Sequence, residues 1–130
     1  MVNFLIVDDE EDICDFLSMV LQKMNFNVKY ALSGEDALGL IEKEKFDVAI
    51  VDLKLPTSIT GLNVIKTIRD THPKTIVVAM SGYVDIGLSQ ETSRLGVSDY
   101  FEKPRDIKPE IFLKKIEVLL LRRQSQDSSS

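Results

Sequence analysis

Four short polar strings stand at the ends of four runs of strand-forming residues. Asp8-Asp9 follows Phe4-Leu5-Ile6-Val7, Asp52 follows Val48-Ala49-Ile50-Val51, Ser81-Gly82 follows Ile76-Val77-Val78-Ala79-Met80, and Lys103-Pro104 follows Tyr100-Phe101-Glu102. Three carboxylates, a hydroxyl and an ammonium are the groups needed to hold a divalent cation and move a phosphoryl group. Mg²⁺ takes octahedral oxygen ligands, keeps several waters and uses one or two carboxylates plus phosphate oxygens. Asp9 and Asp52, with a backbone carbonyl from the loop after the third run, would supply that partial cage, and Asp8 would act through water. A carboxylate can also attack phosphorus and form an aspartyl-phosphate. Catalysis of such a transfer rests on positioning and charge, for which Lys103 offers a mobile cation and Ser81 a hydroxyl.

These groups meet only if the elements carrying them converge. Short apolar runs bounded by polar or turn residues read as strands buried on both faces, as in a parallel sheet. Strands are expected at Asn3–Val7, Val28–Ala31, Val48–Val51, Thr75–Met80 and Asp99–Phe101. Between the first two, Ile13, Phe16, Leu17, Val20, Leu21 and Met24 recur at helical spacing. Ser33 suits the N-cap of a helix carrying Ala37, Leu38, Leu40 and Ile41. Leu62, Ile65 and Ile68 mark a third helix that ends near His72-Pro73. A fourth, weakly apolar, spans Asp85–Leu95 around Gly87, and a fifth runs from about Pro109 through Leu120.

Such alternation predicts an α/β fold, a doubly wound five-stranded parallel sheet with helices on both faces. Strand 2, with Asn27, Lys29 and Tyr30, is polar enough for an edge, and strands 1, 3 and 4 are apolar enough for the centre. The order 2-1-3-4-5 satisfies both and opens a crevice between strands 1 and 3, where ligands bind in such sheets. Asp8, Asp9 and Asp52 would flank it.

The 130 residues suit one domain with a real core, and 44% hydrophobic with 28% charged residues is ordinary for a globular protein. No apolar stretch approaches a membrane span and the N-terminus lacks a signal-peptide pattern, so a cytoplasmic location is expected. The single cysteine, Cys14, excludes an internal disulfide and reads as a buried, inert thiol. The net charge of −5 divides unevenly: residues 1–52 hold twelve acids and four bases, the remainder nine and twelve. Bases are scattered through the second half, which gives no support to direct nucleic-acid binding.

Several of these residues have plainer explanations. Glu10, Glu11 and Asp12 read as acids favouring a helix N-terminus, whereas Asp8, Asp9 and Asp52 terminate buried strands. Lys103 alone would be a commonplace loop lysine; its place after the fifth strand gives it weight. His72, the only histidine, reads as a surface residue ahead of a proline. Tyr100 and Phe101 are adjacent in a strand, so one can be core while the other is free to change position.

From about Asn3 to Leu121 the chain resembles the receiver domain of bacterial two-component response regulators. The matching residues are Asp8-Asp9, Asp52 with Pro56 and Gly61, Ser81-Gly82, and Tyr100 three residues before Lys103-Pro104. The resemblance implies a flavodoxin-like receiver fold over residues 1–121, with 122–130 a polar tail or the start of a linker. It implies that Asp52 accepts a phosphoryl group from a histidine kinase or histidine phosphotransfer protein. It also implies a Mg²⁺ site of Asp9, Asp52 and the Lys54 backbone carbonyl, with Asp8 acting through water. Ser81 and Tyr100 match the switch pair, and Lys103 the lysine that contacts the phosphoryl group. The signal would leave through the face of helix 4, strand 5 and helix 5, toward a downstream protein or an output domain. Lys54 and Tyr83 occupy positions that flank the attacking water's path, so slow self-dephosphorylation is expected. One departure stands out: Gly61 comes five positions after Pro56, not four, so the loop carries one extra residue.

Two other classes fit less well. A haloacid-dehalogenase-like phosphatase needs a second aspartate two residues beyond its nucleophile; here Lys54 follows Asp52 and Glu10 follows Asp8. A flavodoxin-like cofactor binder needs a Gly- or Ser/Thr-rich phosphate loop after strand 1, where this chain carries acids. The expected role is a signalling switch that assists only its own phosphorylation and dephosphorylation. Nothing after Leu121 could form an output domain, so either a stand-alone regulator or an N-terminal receiver is expected.

Overall fold

The unbroken apolar runs require cover on both faces, and the chain supplies it from two pairs of helices. The computed structural model describes residues 1–82 and 86–129, with the backbone alone for 86–89 and 124–129. Five parallel strands, β1 (Asn3–Val7), β2 (Asn27–Ala31), β3 (Val48–Asp52), β4 (Ile76–Ser81) and β5 (Asp99–Glu102), lie in the order β2-β1-β3-β4-β5. The helices are α1 (Glu11–Gln22), α2 (Gly34–Lys43), α3 (Gly61–Thr71), α4 (Ile86–Arg94) and α5 (Pro109–Ser129), with a 3-10 turn at Arg105–Ile107 before the last.

Side chains alternate across each strand. Phe4, Ile6, Val48, Ile50, Val78, Met80 and Phe101 face Cys14, Leu17 and Leu21 of α1 and Phe112, Ile116 and Leu119 of α5. Leu5, Val7, Ala49, Val51, Val77 and Ala79 face Ala37 and Ile41 of α2 and Val64, Ile65 and Ile68 of α3. β2 is the polar edge, as its composition predicts. Among the described residues no helix is long and apolar enough to cross a membrane.

Local signals set the helix starts. Ser33 Oγ accepts the Asp36 N–H, and Thr60 and Asn63 form a reciprocal capping box at α3. Glu11 and Asp12 fill the first turn of α1, as the helix-terminus explanation of those acids requires.

Two expectations need correction, and a third falls outside the described residues. α5 continues past Leu120 to Ser129; Arg122, Arg123, Gln124 and Gln126 are good helix formers, and Arg123 Nη2 lies 2.8 Å from Oδ1 of Asp47, the residue before β3. His72 is half-buried rather than a plain surface residue, with Nε2 3.0 Å from the Ile41 carbonyl. Since a carbonyl only accepts, the ring carries its proton on Nε2, and it ties the end of α3 to α2. The sequence pattern begins helix 4 at Asp85; α4 is described from Ile86, and Asp85 lies outside the described residues.

Candidate phosphoacceptor and metal site

The C-terminal ends of β1, β3, β4 and β5 meet at the crevice flanked by β1 and β3. Asp8 leaves β1 fully buried. Its N–H donates to the Ala31 carbonyl (3.1 Å), and its Oδ1 accepts the Glu10 N–H (2.9 Å). Asp52 ends β3 at 4% exposure, with Oδ1 accepting the Lys54 N–H (2.9 Å). Lys103 reaches in from beyond β5 and donates from Nζ to both remaining oxygens, Asp8 Oδ2 at 3.0 Å and Asp52 Oδ2 at 2.9 Å. Its own N–H donates to the Ser81 carbonyl (2.8 Å), which docks the lysine's backbone on β4.

Asp9 is exposed beside this pair. One carboxylate oxygen from each of Asp8, Asp9 and Asp52 lies within 4.8 Å of the others. Opposite ligands of hexacoordinate Mg²⁺ stand about 4.2 Å apart, twice the metal–oxygen distance. The three carboxylates therefore fit one small divalent cation, bound in part through water. Three carboxyl groups share this site with a single ammonium, an excess of acidic groups that a divalent cation would offset.

Burial is the main cause of a raised Asp8 pKa; the Glu10 N–H and Lys103 pull it back only in part. For Lys103 burial is again the largest influence and favours the neutral amine, but bonds to Asp52 and Asp8 outweigh it and keep the ammonium charged. The Cys14 thiol donates to the Asp8 carbonyl at 3.4 Å and is pushed up to about 12, chiefly by burial, so it is an inert neighbour.

Ser81, 1% exposed, ends β4 one residue beyond Met80, the register partner of Asp52. Tyr100 packs on the α2–α3 side of the sheet, against the same core cluster as Leu95 and Val97. Its hydroxyl is buried with no hydrogen-bond partner among the described residues. Phe101 points to the opposite face and is fully buried, the division expected of this pair. Lys54 is exposed. Tyr83 lies outside the described residues.

The loop from Pro56 to Gly61 leans across to α2. Ile59 packs so closely over Gly34 that a Cβ there would stand 2.5 Å from the Ile59 carbonyl oxygen and 2.6 Å from its Cγ2. Thr57 Oγ1 donates to Glu35 Oε1 at 2.7 Å. Gly61 lets α3 begin against the backbone of Asp52 and Leu53. Gly34 and Glu35 support the site loop without having been singled out in the sequence; the one signal was the extra loop residue.

Residues 4–116 match the family model described as the response regulator receiver domain. The chain belongs to this family. It is a receiver domain of two-component signalling, and receiver domains are phosphoacceptors. Among curated relatives it is 32% identical over 105 residues to sporulation initiation phosphotransferase F of Bacillus subtilis, covering 81% of this chain and 84% of that one. It is also 32% identical over 103 residues to the response regulator protein PilR of Pseudomonas aeruginosa, covering 79% of this chain but 23% of that protein. The receiver spans about a quarter of the length of the first curated relatives it matches. Among solved structures, a CheY-like receiver domain from Methanospirillum hungatei JF-1 superposes with a TM-score of 0.90 at 27% identity, over 97% of this chain and 98% of that one.

Proposed function

We propose that this receiver is a phosphorylation-controlled switch in which Asp52 takes a phosphoryl group from a phosphohistidine of a histidine kinase or histidine phosphotransfer protein. The observation that carries the reading is the bridge from Lys103 Nζ to Asp8 and Asp52 beside Asp9, at the crevice flanked by β1 and β3. The Lys54 N–H holds Asp52 Oδ1, so Oδ2 is the oxygen that attacks phosphorus once Lys103 releases it. The new P–O bond forms as the P–N bond of the donor breaks, and the imidazole nitrogen leaves with the bonding pair. Lys103, a flexible cation, follows the transferred oxygens.

Asp9, Asp52 and the Lys54 carbonyl would hold Mg²⁺, with Asp8 acting through water. When bound, the ion supplies positive charge to the phosphoryl oxygens. Ser81 then bonds a phosphoryl oxygen and Tyr100 fills the vacated space, shifting the α4–β5–α5 face toward its protein target or output domain. Tyr100 already has a buried hydroxyl without a described partner. Such a modification shifts a pre-existing equilibrium by its differential contacts in the two states.

The receiver works in the cytoplasm and assists only its own phosphorylation and dephosphorylation. Its unit is residues 1–121, with 122–130 a polar tail or the start of a linker. In receiver domains the sequence positions of Lys54 and Tyr83 border the path of hydrolytic water, and a lysine and a tyrosine there favour a long-lived phosphoryl group, as in a relay. An acyl- or amidophosphate with Mg²⁺ should label the protein once, by intact mass, and Asp52→Ala should abolish the label. Equal labelling of both proteins refutes the assignment.

A further inference from the structure

β5 is the last strand of the sheet, and its outer edge is unpaired by any described strand. Successive N–H groups of a strand point to opposite sides. The Lys103 N–H turns inward to the Ser81 carbonyl, so the Glu102 N–H points off the open edge. There it donates to Asp106 Oδ2 at 2.8 Å. Asp106 is only 2% exposed. It also accepts from Arg105, Nε to Oδ1 at 3.0 Å and Nη2 to Oδ2 at 3.1 Å. Lys115 Nζ of α5 lies 3.9 Å from Asp106 Oδ2 and 3.9 Å from Asp99 Oδ2, above the Phe101 ring. One buried carboxylate thus fastens the residue before Lys103, a residue just after it, and α5.

We propose that Asp106 is a positioning residue for Lys103. A lysine stem is long and flexible, so its ammonium is placed by the backbone it springs from and by its partners. When a phosphoryl group arrives, Lys103 must exchange partners, and the anchored backbone is what keeps its ammonium within reach. Without Asp106 the Glu102 N–H turns to water and the segment from Glu102 to Arg105 relaxes. The ammonium then loses more conformational freedom on engaging the phosphoryl group. This inference rests on the role given to Lys103 above.

The test is the affinity for beryllofluoride, a phosphoryl mimic, in saturating Mg²⁺, measured by calorimetry on wild type, Asp106→Ala, Lys103→Ala and the double variant. Losing the anchor should weaken beryllofluoride binding roughly three- to tenfold, the worth of one net hydrogen bond. Affinity for Mg²⁺ alone should stay unchanged, which a general loosening of the site would not allow. Asp106→Asn keeps an acceptor for the Glu102 N–H and should recover most of the loss. In the Lys103→Ala background Asp106→Ala should cost nothing further. An equal loss in both backgrounds, or none with Lys103 present, overturns the inference. If Lys103→Ala itself binds beryllofluoride like wild type, the reading of Lys103 falls as well. Asp106→Ser, too short to bridge Glu102 and Arg105, carries the same test should the alanine form not fold.

Discussion

The same substitution, glycine to alanine, should have opposite effects at two positions of this receiver. Gly61 opens α3 against the chain leaving β3, and a Cβ there would stand 2.1 Å from the Asp52 carbonyl oxygen and 2.6 Å from Leu53 Cα. Ordinary contact begins at 3.4 Å, so helix or loop must retreat by about 1.3 Å. The obstructing atoms are backbone, so no side chain can swing away. Overpacking of this kind costs roughly 1–3 kcal/mol, against a gain in helix propensity of at most about 1 kcal/mol. Gly61→Ala should therefore lose about 1–2 kcal/mol and melt several degrees lower, at roughly 4 °C per kcal/mol for a domain of this size. The retreat also moves the loop that carries Lys54, so Mg²⁺ should raise the melting temperature less than in wild type. Gly39 lies inside α2, and a Cβ there would meet nothing within 4 Å. Gly39→Ala should gain about 0.5–1 kcal/mol, melt roughly 2–4 °C higher and respond to Mg²⁺ as wild type does. Thermal unfolding with and without Mg²⁺ reads all four quantities. A Gly61→Ala protein that melts at or above the wild-type temperature refutes the reasoning.

Two further outcomes follow from the buried charges. Lys103→Met leaves Asp8 and Asp52 buried without their shared cation; removing one partner of a buried pair costs about 3 kcal/mol, and Mg²⁺ should restore part of it. Calorimetric unfolding in chelator and in Mg²⁺ checks this, and a variant as stable as wild type in chelator refutes it. The Arg105 guanidinium holds the Asp106 carboxyl below its ordinary value of 3.8. A depressed folded-state value gives stability that is present above the unfolded-state value and lost as pH falls through the folded-state value. Asp106→Asn should therefore flatten the acid limb of stability below about pH 4, read by circular dichroism in acid titration; an unchanged limb counts against the ion pair.

Much of this receiver is determined within short stretches of its sequence. Four apolar residues followed by Asp8-Asp9 or Asp52 specify a buried strand with carboxylates at its end, because side-chain period and burial are local properties. Ser33 announces a helix start in the same way. Only the tertiary structure decides which distant segments touch. Ile59 seats on Gly34 and Thr57 bonds Glu35 because the sheet order brings the loop after β3 beside α2. His72 becomes half-buried by meeting Ile41, thirty-one residues away. Asp106, an unremarked acid in the sequence, becomes an anchor because β5 has an open edge whose outward N–H needs an acceptor. Periodicity records which residues are buried; the pairing of buried surfaces is a long-range choice made by packing the whole chain at once.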